Sequence, residues 1–316
     1  MFLSIYKLLL LEIILYYIIL YFIFCLLQIF SSQTLTEVNF DYCEFIGKLP
    51  DLSMVPNIKS LSLRYCKNLV EVHDSVGRLD KLEELLLYCC TKLRILPSCL
   101  MMKSLRAFSL EGCSSLKKFP NISREMKSLD FLSMTKTGIG ELPPSFENLT
   151  GLKGLYFGNS LGVVRLLSSI YKLQHIQFLT IDGDVIFLKD VEIDRQPQCN
   201  SNEGFSNVFP SLNWLCLTNL KIRSEIDFIL TICWSHTLGE LFINNSNVVT
   251  LPESISRFER LHRLQIFNCN EIRDIPRLPR SISKVDLLEC DSLDSSSSTK
   301  LFLQVSLSLP LSLKVI

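Results

Sequence analysis

The chain repeats a short apolar string at a nearly constant interval. Leu-x-x-Leu-x-Leu, with other apolar residues substituting, begins at Leu35/Val38/Phe40, Ile58/Leu61/Leu63, Leu82/Leu85/Leu87 and Leu105/Phe108/Leu110. It recurs at Leu129/Leu132/Met134, Leu152/Leu155/Phe157 and Ile176/Leu179/Ile181. After a gap it returns at Leu212/Leu215/Leu217, Leu238/Leu241/Ile243, Leu261/Leu264/Ile266 and Ile282/Val285/Leu287. The first seven starts are 23 or 24 residues apart, and the later steps are 36, 26, 23 and 21. A period of this length marks a stacked array in which each unit touches only its neighbours.

Each unit has a further internal order. Three residues past the last strand position stands Cys43, Cys66, Cys90, Cys113, Cys269 or Cys290. Three residues on, an apolar side chain recurs, from Ile46 and Leu69 to Ile272 and Leu293. An apolar-Pro pair then closes the turn, as in Leu49-Pro50, Leu96-Pro97, Phe119-Pro120, Leu142-Pro143, Leu251-Pro252 and Ile275-Pro276. Proline lacks an N–H and fixes φ, so extended pairing stops there. One unit alone cannot bury enough apolar surface to offset the entropy of ordering it, whereas stacked units share both faces of every apolar layer. The pattern is that of a leucine-rich repeat. It predicts an α/β solenoid, a horseshoe of about eleven repeats of 21–26 residues, with a parallel β-sheet on the concave side and one irregular insertion.

Four regions follow from composition. Residues 1–30 are a hydrophobic segment whose block Leu8–Phe30 is interrupted only by Glu12 and Gln28, long enough to span a bilayer. It reads either as a membrane or signal anchor with the N-terminus in the cytosol, or as a gene-model artefact. Residues 31–294 are the repeat domain. The polar stretch 183–211 interrupts it and is read as a surface loop. Residues 295–316 form a Ser/Leu-rich tail with no predicted structure of its own. The 32 Lys and Arg balance 32 Asp and Glu, which argues against nucleic acid as a partner.

Catalytic chemistry finds no foothold. The histidines His73, His175, His236 and His262 fall in different repeats, and no zincin, nucleophile-elbow or P-loop spacing occurs. Gly47-Lys48 is followed by Leu49. The expectation is a chain that is not an enzyme and uses no cofactor or metal. The repeat cysteines are read as reduced, buried thiols, which fits a cytoplasmic compartment better than an oxidising one. Asn121, Asn148 and Asn244 head N-x-S/T sequons.

Strand side chains alternate, so if Leu85 and Leu87 point inward, Glu84 and Tyr88 face the concave surface. That register assigns Glu37, Asn39, Asp41, Arg64, Glu84, Tyr88 and Glu111 from the early repeats. It assigns Phe131, Tyr156, Phe178 and Asp182 from the middle, and Trp214, Glu240, Phe242, Arg263, Phe267, Lys284 and Asp286 from the late ones. The seven aromatics, Tyr88, Phe131, Tyr156, Phe178, Trp214, Phe242 and Phe267, are expected to form one stripe. Such a stripe suits a protein partner, aromatics and Arg being the usual interface anchors, although neighbouring rings also pack on one another.

Segments such as LTEVNFDYCEFIGKLPDLSMVPNIKSLSLRYCKNLVEVHDSVGRLDKLEELLLYCC and CTKLRILP…LEGCSSLKKFP closely resemble the repeat region of plant TIR-type nucleotide-binding leucine-rich-repeat disease-resistance proteins. The resemblance covers about residues 34–294. It implies a module that recognises pathogen effectors or docks on a receptor's own switch domain. The chain carries neither a TIR domain nor a P-loop, so nucleotide binding and NAD cleavage are not carried over, and a fragment of a larger receptor is one expectation. The alternatives are a membrane-anchored, single-pass or secreted repeat receptor, and a truncated piece without function.

Overall fold

The computed structural model describes residues 34–158, 164–166, 170, 172–183, 185–187, 209–221, 229–230, 236–293, 299 and 312–315. Every repeat expected from the sequence contributes one strand to a single parallel sheet. The strands are β1 (Glu37–Asn39), β2 (Ser60–Ser62), β3 (Glu84–Leu86), β4 (Ala107–Ser109), β5 (Phe131–Thr135) and β6 (Gly154–Gly158). They continue as β7 (Phe178–Asp182), β8 (Trp214–Thr218), β9 (Glu240–Asn244), β10 (Arg263–Phe267), β11 (Lys284–Leu288) and β12 (Ser312–Val315). Their order in the sheet is their order in the chain.

Register follows the repeat without slippage. Leu61 lies opposite Leu85, Leu85 opposite Phe108, Phe108 opposite Leu132, and Leu132 opposite Leu155. These side chains are all buried, and a one-residue slip would turn each row out to solvent. The apolar residues of the turns and return segments close the other side, so one continuous core runs the length of the stack.

The turn after each strand is the second fixed point. Tyr42, Tyr65, Cys89, Lys136, Asn219, Asn245, Asn268 and Glu289 all have φ between 49° and 61°, and Gly112 and Gly183 have φ of 77° and 85°. Left-handed backbone costs a non-glycine residue about 1–2 kcal/mol. The turn offsets it by keeping the ladder going: the N–H of Tyr42 donates to Arg64 O at 2.7 Å, Cys89 to Glu111 O at 2.7 Å and Asn245 to Phe267 O at 2.9 Å. At the end of β6, Gly158 has φ of 132° and sits against Asp182, where any Cβ would collide with the Asp182 carbonyl.

Among the described residues the outer side is built mainly from short pieces, with α-helix at Ile229 and Leu230. Five-residue 3-10 turns span Asp74–Arg78, Pro144–Asn148 and Glu253–Arg257. Short parallel pairs join Lys48–Leu49 to Glu71–Val72 and Cys99–Leu100 to Asn121–Ile122. A 3-10 turn rises about 2 Å per residue, so it covers the return path with fewer residues than an α-helix would. Charges on consecutive coils pair across the stack, as in Lys48–Glu71 at 2.8 Å, Lys103–Asp80 at 2.8 Å and Lys153–Asp130 at 2.7 Å. Each such surface pair contributes about 0–1 kcal/mol.

Two sequence expectations need adjustment. Within the polar stretch 183–211, Val185–Phe187 is a strand that pairs in parallel with Val164–Leu166, while residues 188–208 lie outside the described residues. The long step leaves the sheet intact, because Phe178 and Trp214 are direct partners across it. In the Ser/Leu tail, Ser312–Val315 pairs with Lys284–Leu287 and adds a twelfth strand where the sequence predicts none. The segment Leu8–Phe30 lies outside the described residues, and among the described residues no helix is long and apolar enough to cross a membrane.

Replacing Leu132 by alanine empties a fully buried place between Phe108 and Leu155. The expected cost is roughly 2–5 kcal/mol, seen as a lower denaturant midpoint. Lys118→Ala, on the exposed outer side, should shift stability by no more than about 0.5 kcal/mol.

Candidate functional site

Two sets of side chains repeat in space as they do in sequence. The first is the line of thiols at the corner after each strand. Cys66 Sγ donates to Phe40 O at 3.0 Å, Cys90 Sγ to Leu63 O at 3.0 Å and Cys113 Sγ to Leu87 O at 3.0 Å. Cys269 and Cys290 reach Ile243 O and Ile266 O at 3.7 and 3.8 Å. Each acceptor is the last inward-facing residue of the preceding coil. That same carbonyl takes the N–H of its own coil's corner residue, as Leu63 O does from Cys66. Where cysteine is missing the corner is bonded differently: Thr137 Oγ1 donates to Met134 O of its own coil at 2.9 Å, and Ser246 Oγ accepts from the Leu220 N–H at 3.1 Å.

The thiolate is disfavoured at Cys66, Cys90, Cys269 and Cys290. Burial pushes Cys66 up to about 12 and Cys269 up to about 11. The neighbouring Cys113 thiol, followed by burial, raises Cys90 further. All nine described cysteines are free, and among the described residues no group of three or more His, Cys, Asp or Glu could hold a metal ion. The corner is therefore structural: a thiol supplies a weak donor to a buried or part-buried carbonyl.

The second set is the concave surface, where alternate strand positions line up in three rows across the sheet. The first row runs Glu37, Ser60, Glu84, Ala107, Phe131, Gly154, Phe178, Trp214, Glu240, Arg263 and Lys284. The middle row holds Asn39, Tyr156, Phe242 and Asp286, with Ser, Thr and other residues between them. The third holds Asp182, Asn244 and Phe267 on the longer strands, and Asp41, Arg64, Tyr88 and Glu111 just past the shorter ones. The aromatics expected as one stripe are thus divided among three rows. A period of two along each strand sends positions one, three and five to the same face but to different heights.

The rings differ in how much they are held. Phe131 is 43% exposed and its ring lies across Gly154, where any side chain would collide with it. Trp214 and Phe242 pack on each other with centroids 5.2 Å apart, and the Arg263 guanidinium sits 5.0 Å over the Phe242 ring. Burial raises the pKa of Tyr156. Tyr88 meets Tyr65 edge-on at 5.1 Å, and Tyr65 stacks on Tyr42 at 4.7 Å and 8°. Hydrogen bonding with Cys89, then with Tyr65, pushes Tyr88 up to about 12.

The charged residues of this face form internal pairs. Asp41 takes the Arg64 Nε and a terminal nitrogen, each at 2.8 Å, and also accepts from Ser62. Burial opposes the Asp41 carboxylate, but these hydrogen bonds outweigh it and hold its pKa below the ordinary value. Arg263 lies 3.4 Å from Glu240 and 3.6 Å from Asp286, and Lys284 lies 3.3 Å from Asp286. Two atoms near the Trp214–Phe242 pair, Asn244 Oδ1 and Arg263 Nε, are buried without a hydrogen-bond partner.

The sequence reading misses three features of this face. Cys216, only 8% exposed, sits in the middle row beneath Phe242, with Thr218 Oγ1 and Asn244 Nδ2 each 3.6 Å from its sulfur. Its place between Leu215 and Leu217 was the available signal. Tyr42, 68% exposed, and Tyr65 extend the ring series onto the rim from the left-handed turn position, which strand alternation does not reach.

A family model described as leucine-rich repeats of RPS4B-like disease resistance proteins matches residues 101–306. TMV resistance protein N of Nicotiana glutinosa is 28% identical over 289 residues, a stretch that is 80% of this chain and 25% of that protein. Disease resistance protein RPS4B of Arabidopsis thaliana is 24% identical over 267 residues, 84% of this chain and 20% of its own length. The chain thus spans a quarter or less of these relatives. Among solved structures, an internalin from Listeria monocytogenes aligns at 12% identity and a TM-score of 0.45, covering 91% of this chain and 81% of that one.

The thiol ladder makes a chemical prediction. With iodoacetamide at neutral pH, the partly exposed Cys43, Cys89, Cys99 and Cys290 should label in the native chain, and Cys66, Cys90, Cys113 and Cys269 only after denaturation. Peptide mapping by mass spectrometry checks it. Because the folded pKa values are raised, the ladder's contribution is complete below the unfolded thiol value of about 8.5 and is lost as pH rises above it.

Proposed function

The chain belongs to the leucine-rich-repeat family of RPS4B-like disease resistance proteins, and on that footing we propose that it is a non-enzymatic recognition module of plant innate immunity. It binds a protein partner through the concave sheet, either a pathogen effector or the switch domain of a receptor. The observation that carries this reading is the set of half-buried and exposed aromatics on that sheet. Phe131, Tyr156, Trp214 and Phe242 stand on neighbouring or nearby strands with small residues between them, among them Ser133, Gly154, Thr180 and Cys216. Rings held by their neighbours lose little entropy on binding, and they release much ordered water when a partner covers them.

A cytoplasmic setting draws support from two independent features. The described thiols are unpaired, and the thiolate is disfavoured at Cys66, Cys90, Cys269 and Cys290, which suits a reducing compartment. Two of the three sequon amides are committed within the fold: Asn148 Nδ2 donates to Ile122 O at 2.8 Å, and Asn244 Nδ2 faces the Cys216 sulfur. A glycan at either would break that contact, so the secreted alternative would have to rely on Asn121, which is exposed.

The test uses photocrosslinking in plant cells. Benzoylphenylalanine placed at Phe131 or Tyr156 should join the chain to a discrete protein, and the same group at Ile95, on the outer side, should not. Trp214→Ala should weaken binding to the captured protein by about 2 kcal/mol, roughly 30-fold. Crosslinks confined to Ile95, or an affinity untouched by Trp214→Ala, would contradict the proposal.

A further inference from the structure

The net charge of the chain is zero, but its concave face is not neutral. Counted along the three rows from β1 to β11, the face carries seven carboxylates and three bases. All three bases are already engaged: Arg64 with Asp41, Arg263 with Glu240 and Asp286, and Lys284 with Asp286. Among the described residues, four carboxylates, those of Glu37, Glu84, Glu111 and Asp182, form no ion pair. Glu84 accepts only the Ser60 hydroxyl, at 3.2 Å, and Asp182, 4% exposed, accepts from the Asn219 amide. Off this face, Lys48, Lys59, Lys103, Lys153 and Lys172 pair with acids of adjacent coils.

The unpaired carboxylates are placed in relation to the rings. Glu84 and Glu111 stand at one end of the aromatic series, on the coils before Phe131. Asp182 stands within the series, on the strand between those of Tyr156 and Trp214, and is buried. Strands lie about 4.8 Å apart, so an extended segment crossing the sheet from Glu84 would meet carboxylates and then rings. We infer that the partner is a protein segment presenting arginine or lysine beside aromatic or aliphatic residues. A base seated at Glu84 or Glu111 supplies the charge that these carboxylates lack, and its apolar neighbour covers Phe131 or Tyr156. An acidic or phosphate-bearing ligand meets the same face with repulsion. Long-range attraction of this kind acts mainly on association rate and on partner choice.

This inference rests on the concave-face reading, and its test separates the two. A library of random dodecapeptides displayed on phage is panned on the full chain. Enriched sequences should combine Arg or Lys with Leu, Phe or Trp and contain little Asp or Glu. The synthetic form of an enriched peptide should bind about tenfold more weakly to Glu84→Lys or Glu111→Lys, and about tenfold more weakly when NaCl rises from about 50 to about 500 mM. Glu141→Lys, on the exposed outer side, should leave it unchanged. Enrichment of neutral or acidic peptides, or of no sequence, overturns the inference. Neutral peptides that still lose affinity on Trp214→Ala would leave the concave face as the binding surface and remove only its charge preference. Basic peptides indifferent to both Glu111→Lys and Trp214→Ala would remove both.

Discussion

A solenoid depends on what happens to the backbone carbonyl at the end of each strand. There the chain leaves the sheet, turns through a left-handed residue and dives under the next layer, so the carbonyl of Phe40, Leu63 or Leu87 faces a buried or part-buried corner. Leaving such a group without full hydrogen bonding costs on the order of 1–3 kcal/mol. The fold answers with two donors, an N–H from its own turn and a thiol from the following coil. Cysteine suits the place because it fills the corner as a small hydrophobe and still offers a proton. The condition is met in this way by Cys66, Cys90, Cys113, Cys269 and Cys290, at the two ends of the stack.

The same regularity shapes the concave face. Because each strand occupies the same height as its neighbour, every odd strand position becomes a row, and rows can carry any side chain without disturbing the core behind them. The layers of Leu, Ile and Phe are therefore nearly constant along the stack, while the rows change from Glu and Ser at one end, through aromatics, to Glu, Arg and Lys at the other. Burial sits in one set of positions and variation in the other. Arg263 joins the two, since it holds Glu240 and Asp286 together and also caps the Phe242 ring.

Much of this was legible in the sequence, for reasons that differ by residue. The strands were readable because Leu85, Leu132 and Leu215 recur at a period no other architecture shares, and the inward register followed from them. Alternation then placed Glu84, Tyr156 and Trp214 on the concave side. Alternation says nothing of height within a strand, so the single aromatic stripe was an over-reading of positions that fall in three rows. Nor does it show ion pairing: Arg64 and Asp41 lie 23 residues apart and meet only because consecutive coils stack. Tyr42 and Tyr65 were invisible because the left-handed turn, not the strand, aims them. Ser312–Val315 lacked the full repeat string, and it pairs because β11 offers an open edge.

The most direct test of the coupled stack is amide hydrogen exchange on the full chain, compared with the Cys90→Ala variant. The carbonyl of Leu63 loses its thiol donor in that variant, and Cys90 also packs against the coil that follows. Faster exchange should therefore appear at Cys66 and at Cys113 as well as around residue 90, with little change beyond them. Faster exchange confined to the coil of residue 90, with Cys66 and Cys113 as protected as before, would contradict the claim that the corner thiols tie one coil to the next.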